Sequence, residues 1–273
     1  MSTLVDRLLP DELWQRIKPL LPLALARTRG GVPRRVPDRN CVAALIFMAR
    51  TSTPWSLLPA KELGCGSATT CWRRLDKWAR AGVFELLQAV LLDELGAAGR
   101  IDLERVSVDS FSLRAVKGGT LTGANPVDRG KQGSKLHLAG DAGGLPLSVV
   151  LSAANANDAT MLEAVLDDIP AIRMPSGRRR RRPAKVHGDK AYDHRRCRAY
   201  LRRRGIRPRL ARRRIESSQR LGRHRWTIER TGAWLGGWRR LRIRYERSSE
   251  RFYALAMLAC AVICCNALQQ PPW

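Results

Sequence analysis

Residues 105–113 read RVSVDSFSL, and the alternation of Val106 and Val108 with polar neighbours is the period-two pattern of a half-buried strand. Upstream of Gly99 the rhythm is helical. Leu13, Trp14, Ile17, Leu20 and Leu21 recur at helical spacing behind Pro10 and Asp11, and Asp38 caps a second helix that stops before Ser52-Thr53-Pro54. Downstream, KLHLAGDAGGLPLSVVLS holds two β-rich runs about the turn Asp141-Ala142-Gly143-Gly144. Asn157-Asp158 caps the amphipathic ATMLEAVLDDI, and an Arg-rich loop at 178–182 leads into a strand, AKVHGD. A helix about His194 to Arg204, a short strand near Ile206 to Leu210 and helices from about Arg223 complete the order. Such an order predicts an α/β fold with a mixed sheet and helices on its faces. The change at Gly99 divides the chain into a helical part, 1–99, and an α/β part, 100–273.

Charge points to the partner. Fifty Lys and Arg against 24 Asp and Glu leave the 273-residue chain at +26, with a pI near 11.3. Self-repulsion of that size opposes folding, and a polyanion relieves it. Nucleic acid fits, because phosphates neutralised by Lys and Arg release condensed counterions. The segment PAKELGCGSATTCWRRLDKWARAGVF from Pro59 then reads as a short helix, a Gly64-Cys65-Gly66 turn and a second helix opening at Ser67. Trp72, Leu75 and Trp78 share one side of that second helix, with Arg73, Arg74, Lys77 and Arg80 around the rest. This is a helix-turn-helix pattern, and those four basic residues are expected to contact double-stranded DNA. A helical hairpin with solvated arginines is the competing reading, which the overall charge disfavours.

Other classes are set aside by composition. The seven cysteines, at 41, 65, 71, 197, 260, 264 and 265, form no Cys-x-x-Cys pair and are odd in number, so neither a zinc ribbon nor a disulfide framework is expected. The apolar run from Ala254 to Leu268 is shorter than the roughly 20 residues of a spanning helix and reads as a buried C-terminal helix. No membrane partner is expected, and MSTLVDRLLP lacks a signal-peptide layout. The expected setting is the cytoplasm, associated with the nucleoid.

Three acids fall where this layout makes them useful. Asp109 lies in the first strand, Asp189 ends AKVHGD and Glu229 sits in the helical run RHRWTIERTGAWL. Carboxylates from neighbouring strands and a facing helix can converge, and a pair of hard cations such as Mg²⁺ would remove their mutual repulsion. Two ions about 3.5–4 Å apart can activate the attacking oxygen and stabilise the leaving oxygen of a phosphoryl transfer. Asp141, Asp158 and Asp193 are competing acids, read as caps and turns.

VSVDSFSLRA, HGDKAYD and RWTIERTGAWLGGWRRLRIRYER together resemble transposases of the insertion-sequence-four and -five groups. These belong to the DDE superfamily, named for an Asp-Asp-Glu metal triad on an RNase H-like fold. The resemblance runs from about residue 8 to 265. It implies that Asp109, Asp189 and Glu229 are the catalytic, metal-holding acids, binding two Mg²⁺ or Mn²⁺ ions. The separations are 189 − 109 = 80 and 229 − 189 = 40 residues. The second gap is too short for the β-domain that some relatives insert there. Arg225 fills the family's arginine position four residues before the glutamate. Gly236 stands where a basic residue is expected, and Gly222 where a tyrosine is.

Guanidinium groups bind phosphate bidentately, so Arg225, Arg230, Arg239 and Arg240 are expected DNA contacts, with Lys190 beside the second acid. Trp226, Trp234 and Trp238 are read as core, and His187 as a packed histidine. The resemblance implies cleavage at element ends followed by attack of the freed 3′-hydroxyl on target DNA, by a dimer or larger assembly. The alternatives are a metal-dependent nuclease without strand transfer and a non-catalytic, transposase-derived repressor.

Overall fold

The structure, a computed structural model, describes residues 3–22, 36–215 and 222–269, with the side chains of 222–225 outside that set. Five helices come first: α1 (Leu4–Leu8), α2 (Asp11–Ile17), α3 (Asp38–Thr51), α4 (Ala68–Arg80) and α5 (Val83–Ala97). The sheet region follows with β1 (Val106–Ala115), β2 (Gly123–Ala124), β3 (Gln132–Gly140), β4 (Pro146–Ala153), α6 (Asp158–Asp167), β5 (Ile172–Arg173), β6 (Arg179–Arg180) and β7 (Lys185–Gly188). Then come α7 (Arg195–Arg203), β8 (Arg207–Leu210), α8 (Gly222–Gly236), β9 (Ile243–Arg244) and α9 (Ser249–Gln269).

The main sheet runs β4-β3-β1-β7-β8. β1, β3 and β4 are antiparallel neighbours, while β7 and β8 run parallel to β1. This is the mixed, RNase H-like arrangement, with α6 and α7 as the crossovers that parallel pairing requires. In β1 the residues on one face, Asp109 and Phe111, lie opposite Leu138 and Leu136 of β3; those on the other, Ser110 and Ser112, lie opposite His137 and Lys135. α8 packs on β1 and β3, and α6 packs on β3 and β4.

Two expectations change. The short helix expected after Pro59 is a run of turns at 60–64, and the next helix back is α3, which ends at Thr51. α4 therefore has no preceding α-helix joined to it by the tight turn of a helix-turn-helix unit; its tightly turned neighbour is α5, which follows it after Ala81-Gly82. It does start where expected, with Ser67 Oγ accepting the Thr70 N–H at 3.1 Å. The Arg-rich loop, for its part, contains β6, paired antiparallel with β5.

One buried apolar cluster runs from Leu9 through the sheet to Cys265. α9 links its parts by packing along α5 and touching α2, α3, α4, α8 and β4. At 21 residues α9 is long and apolar enough to cross a bilayer, yet 72% of its most apolar window is buried inside the protein. Cys41, Cys65 and Cys71 also meet in this core. The Cys41 and Cys71 thiols each lie 3.8 Å from the Cys65 carbonyl oxygen, and Arg74 Nη1 donates to Cys41 Sγ at 3.0 Å.

Candidate active site

Asp109 and Glu229 line one pocket. Its other walls are Ser110, Phe111, Leu138, Ile228 and Gly232, and it encloses about 250 Å³. Glu229 reaches this position because of how α8 sits on the β3–β4 turn. Gly144 has φ +83°, and an added Cβ there would meet the Thr227 carbonyl oxygen at 2.8 Å. Only glycine allows both the left-handed turn and the close approach. Thr231 Oγ1 donates to the Gly144 carbonyl at 2.6 Å, and Arg230 donates to that of Gly143. Ile228 and Leu235 are buried along the same helix, which leaves Glu229 on the exposed side.

Asp189 approaches from the adjoining strand. Val106 pairs with Val186 and Ser107 with His187, so continuing the register two residues sets Asp109 beside Asp189 just past the end of β7. Asp189 Oδ1 accepts the Ala191 N–H at 2.9 Å, which caps a 3₁₀ turn at 190–192. Tyr192, in that turn, is buried. Burial first, then the negative fields of Asp158, Asp109 and Asp189, push its phenol well above its usual pKa. Its hydroxyl stays protonated. Asp109 and Asp189 thus both lie within electrostatic reach of Tyr192.

Asp158, read as a cap, has another role. Asn157 is the cap, accepting the Ala159 N–H at 2.9 Å. Asp158 Oδ1 instead accepts from Ser110 Oγ at 2.7 Å and from Lys135 Nζ at 3.1 Å, so it ties α6 to the residue next to Asp109. His137 lies behind it, fully buried, with Nδ1 3.5 Å from Asp158 Oδ1. His137 Nε2 and Ser152 Oγ lie 2.8 Å apart in a hydrogen bond, and Ser152 Oγ is also 3.0 Å from the Ala153 carbonyl oxygen. Burial holds His137 down to about 4. The sequence signal was Lys135 and His137 two residues apart, hence on one face of β3. Asp141 and Asp193 do act locally: Asp141 accepts the Leu145 and Asp102 N–H groups at 2.8 and 3.1 Å, and Asp193 pairs with Arg198 at 2.7 Å.

The basic residues divide into two sets. Arg73, Lys77 and Arg80 are exposed along one stripe of α4, Arg80 pairing with Asp76 at 3.1 Å, and Arg239 is exposed as well. Lys190 is half-buried beside Asp189. Arg74, expected on DNA, is instead committed internally, donating to the Val36 carbonyl at 2.6 Å and pairing with Asp38 at 2.9 Å. Arg240 is 4% exposed, bonds Glu246 at 2.8 and 2.9 Å and the Thr53 carbonyl at 3.2 Å, and so faces inward. Arg230 lies between the Trp226 and Trp234 rings, 4.7 and 4.8 Å from their centroids, and holds the hairpin. The Arg225 side chain lies outside the described residues. Trp238 is buried as expected, whereas Trp226 is 52% exposed.

Carboxylate oxygens are the hard donors that Mg²⁺ and Mn²⁺ take. Among the described residues no three His, Cys, Asp or Glu side chains are gathered closely enough to hold a metal ion. The fit to a divalent ion therefore rests on donor chemistry and on two pairings, Asp109 with Glu229 across the pocket and Asp109 with Asp189 along the sheet.

An RNase H-like sheet with acids on its central strand, the adjoining strand end and a covering helix defines a class of phosphodiester-cutting enzymes. Sequence comparison narrows the class. Residues 101–264 match the transposase DDE domain family, and residues 9–88 match a family of IS4/5 transposases. The chain belongs to the DDE transposase family, whose members cut and join DNA and use divalent metal. It is similar to the assigned transposase of insertion sequence element IS402 of Burkholderia cepacia, 48% identical over 149 residues, 55% of this chain and 71% of that protein. It is also similar to the 16.2 kDa protein of IS402 from the same organism, 46% identical over 121 residues, 44% of this chain and 81% of that one. Among solved structures, a pre-cleavage Mos1 transpososome aligns over 94% of this chain and 86% of its own at 12% identity and TM-score 0.28.

Proposed function

We propose that this transposase cleaves the ends of its element and joins the freed 3′-hydroxyl to target DNA, with Asp109, Asp189 and Glu229 as the catalytic acids. The observation that carries the reading is the shared pocket of Asp109 and Glu229 beside Asp189. Two Mg²⁺ or Mn²⁺ ions held by these carboxylates would supply activation of the attacking oxygen and stabilisation of the leaving one. Phe111, Leu138 and Ile228 give the pocket an apolar floor that limits water and strengthens electrostatic contacts within it. Lys190 is a cation available to phosphate beside Asp189, exposed Arg239 is a further phosphate contact, and Arg73, Lys77 and Arg80 offer a stripe on α4 for the element end. Arg225, four residues before Glu229, takes a phosphate-contact role from the family pattern. We assign end-binding to residues 1–99 and chemistry to 100–273, acting as a dimer or larger assembly because two ends must be paired.

The test is incubation of the full chain with duplexes of the element's ends and a target duplex in Mg²⁺. Cleaved and joined products are expected, and Asp109→Asn should remove both while leaving DNA binding intact. An Asp109→Asn variant that cuts at the parent rate would end this assignment. Cutting without joining by the parent would leave a nuclease.

A further inference from the structure

Half of the chain's net charge sits in a stretch that the pocket barely uses. Residues 178–209 hold fifteen Lys and Arg against Asp189 and Asp193, a net +13 of the total +26. The fold collects many of these side chains at one end of the sheet. β6 and its loop lead into the start of β7, β8 starts alongside with Arg207 opposite Lys185, and α7 brings its C-terminus back to the same end. There Arg182 Nη1 donates to the Arg204 carbonyl at 3.4 Å. Arg179, Arg180, Arg181, Arg182 and Arg207 line a hollow of about 440 Å³.

Part of this charge is answered within the protein. Arg179 pairs with Asp93 at 2.7 Å, Arg180 with Glu104 at 3.3 Å, and Arg204 with Asp167. Arg181, Arg182 and Arg207 are exposed and form no salt bridge among the described residues, although Arg181 lies within the field of Asp168. Arg181 gives only its Nε to a carbonyl, that of Ile169 at 2.8 Å. Concave, like-charged guanidinium groups repel one another until an anion covers them. One small anion would answer one or two of them. A nucleic-acid backbone, with a charge per roughly 1.7 Å of duplex axis, answers the whole set. The position also suits a duplex. Lys185 and Asp189 are four residues apart, about 13 Å along the strand, well within the roughly 34 Å of one duplex turn.

We infer that Arg181, Arg182 and Arg207 form a second, non-catalytic dock for the phosphate backbone of duplex DNA, at the end of β7 away from the acids. The inference rests on the DNA chemistry proposed above. The dock reads charge and shape, with no base preference.

The test uses the full chain carrying Asp109→Asn, so that cleavage does not intervene. Its affinity for a labelled duplex of about 30 base pairs is measured from about 50 to 300 mM salt, for two unrelated sequences. Added Arg181→Gln, Arg182→Gln and Arg207→Gln should lower the slope of log K against log salt by about 2 to 3, equally for both sequences, at an unchanged melting temperature. A charge-matched variant at exposed Lys117, Arg129 and Lys131, outside both the end-binding residues and the pocket, should leave the slope near that of the parent. An unchanged slope in the first variant, or an equal fall in the second, overturns the dock. A parent that binds no duplex overturns the DNA reading beneath it as well.

Discussion

At its C-terminal end β7 delivers Asp189 to a neighbourhood of carboxylates, while at its N-terminal end it emerges from a wall of arginines. The two ends need opposite things from their surroundings. Clustered acids must be close enough to share a cation and so repel one another without it. Exposed guanidinium groups must stay spread along a surface to meet successive phosphates. The four-residue strand keeps the two requirements apart by about 13 Å, so that grip and chemistry can be altered separately.

The sharpest way to break that separation is Asp189→Asn. Cleavage in Mg²⁺ should fall by on the order of 1,000-fold or more, as expected when one member of a concerted catalytic set is removed. The salt slope of duplex binding should not change; a parallel loss of binding would mean that the two ends do not act independently. Arg240→Ala should show the opposite pattern. It strands the buried Glu246 carboxylate and releases the Thr53 carbonyl, costing about 3 kcal/mol of global stability. Both ends should then lose function together in proportion to the unfolded fraction, read by denaturant melts beside cleavage and binding.

A smaller effect should be confined to the acid end. The folded chain protonates His137 near pH 4 and the unfolded chain near 6.5, so the folded state is favoured above pH 6.5 and loses that advantage as pH falls toward 4. The loss between pH 7 and pH 5 amounts to about 2 kcal/mol, and His137→Gln should flatten it. Burial raises Asp141 and Asp168 to about 6, which acts in the opposite sense, so the difference between parent and variant is the quantity to measure. Relative to the intrinsic rate at each pH, hydrogen exchange at pH 5 should quicken around α6 and β3 in the parent and not around β5 and β6. Equal quickening at both sites would contradict the local origin.

Periodicity exposed much of this architecture because α6 and α7 each bury one face and β1 alternates through Val106 and Val108, while the doubly covered β3–β4 hairpin reads as short apolar runs bounded by turn residues. The repeat of apolar positions is the physical requirement itself. The neighbourhood of Asp109 and Asp189 was legible for the same reason, since both lie on or just past strands. What periodicity cannot carry is the partner of a polar side chain far away in sequence. Arg74, Arg230 and Arg240 look like their exposed neighbours in the chain, yet each is committed to carbonyls or carboxylates inside the fold. The meeting of Cys41, Cys65 and Cys71 was hidden because no short spacing announces it. Asp158 was obscured differently: the cap position next to it explained the pattern well enough to leave its tie to Ser110 unseen.

The position of α9 has a consequence for synthesis. Helices α2 to α5 bury apolar faces against α9, which is synthesised well after all of them, so they wait unfinished while the intervening sheet region is assembled. A ribosome that stops or shifts frame before Ser249 releases a chain whose interior has no lid, prone to aggregation or proteolysis. Quality control is thus written into the order of manufacture: only a message read through α9 yields a stable product.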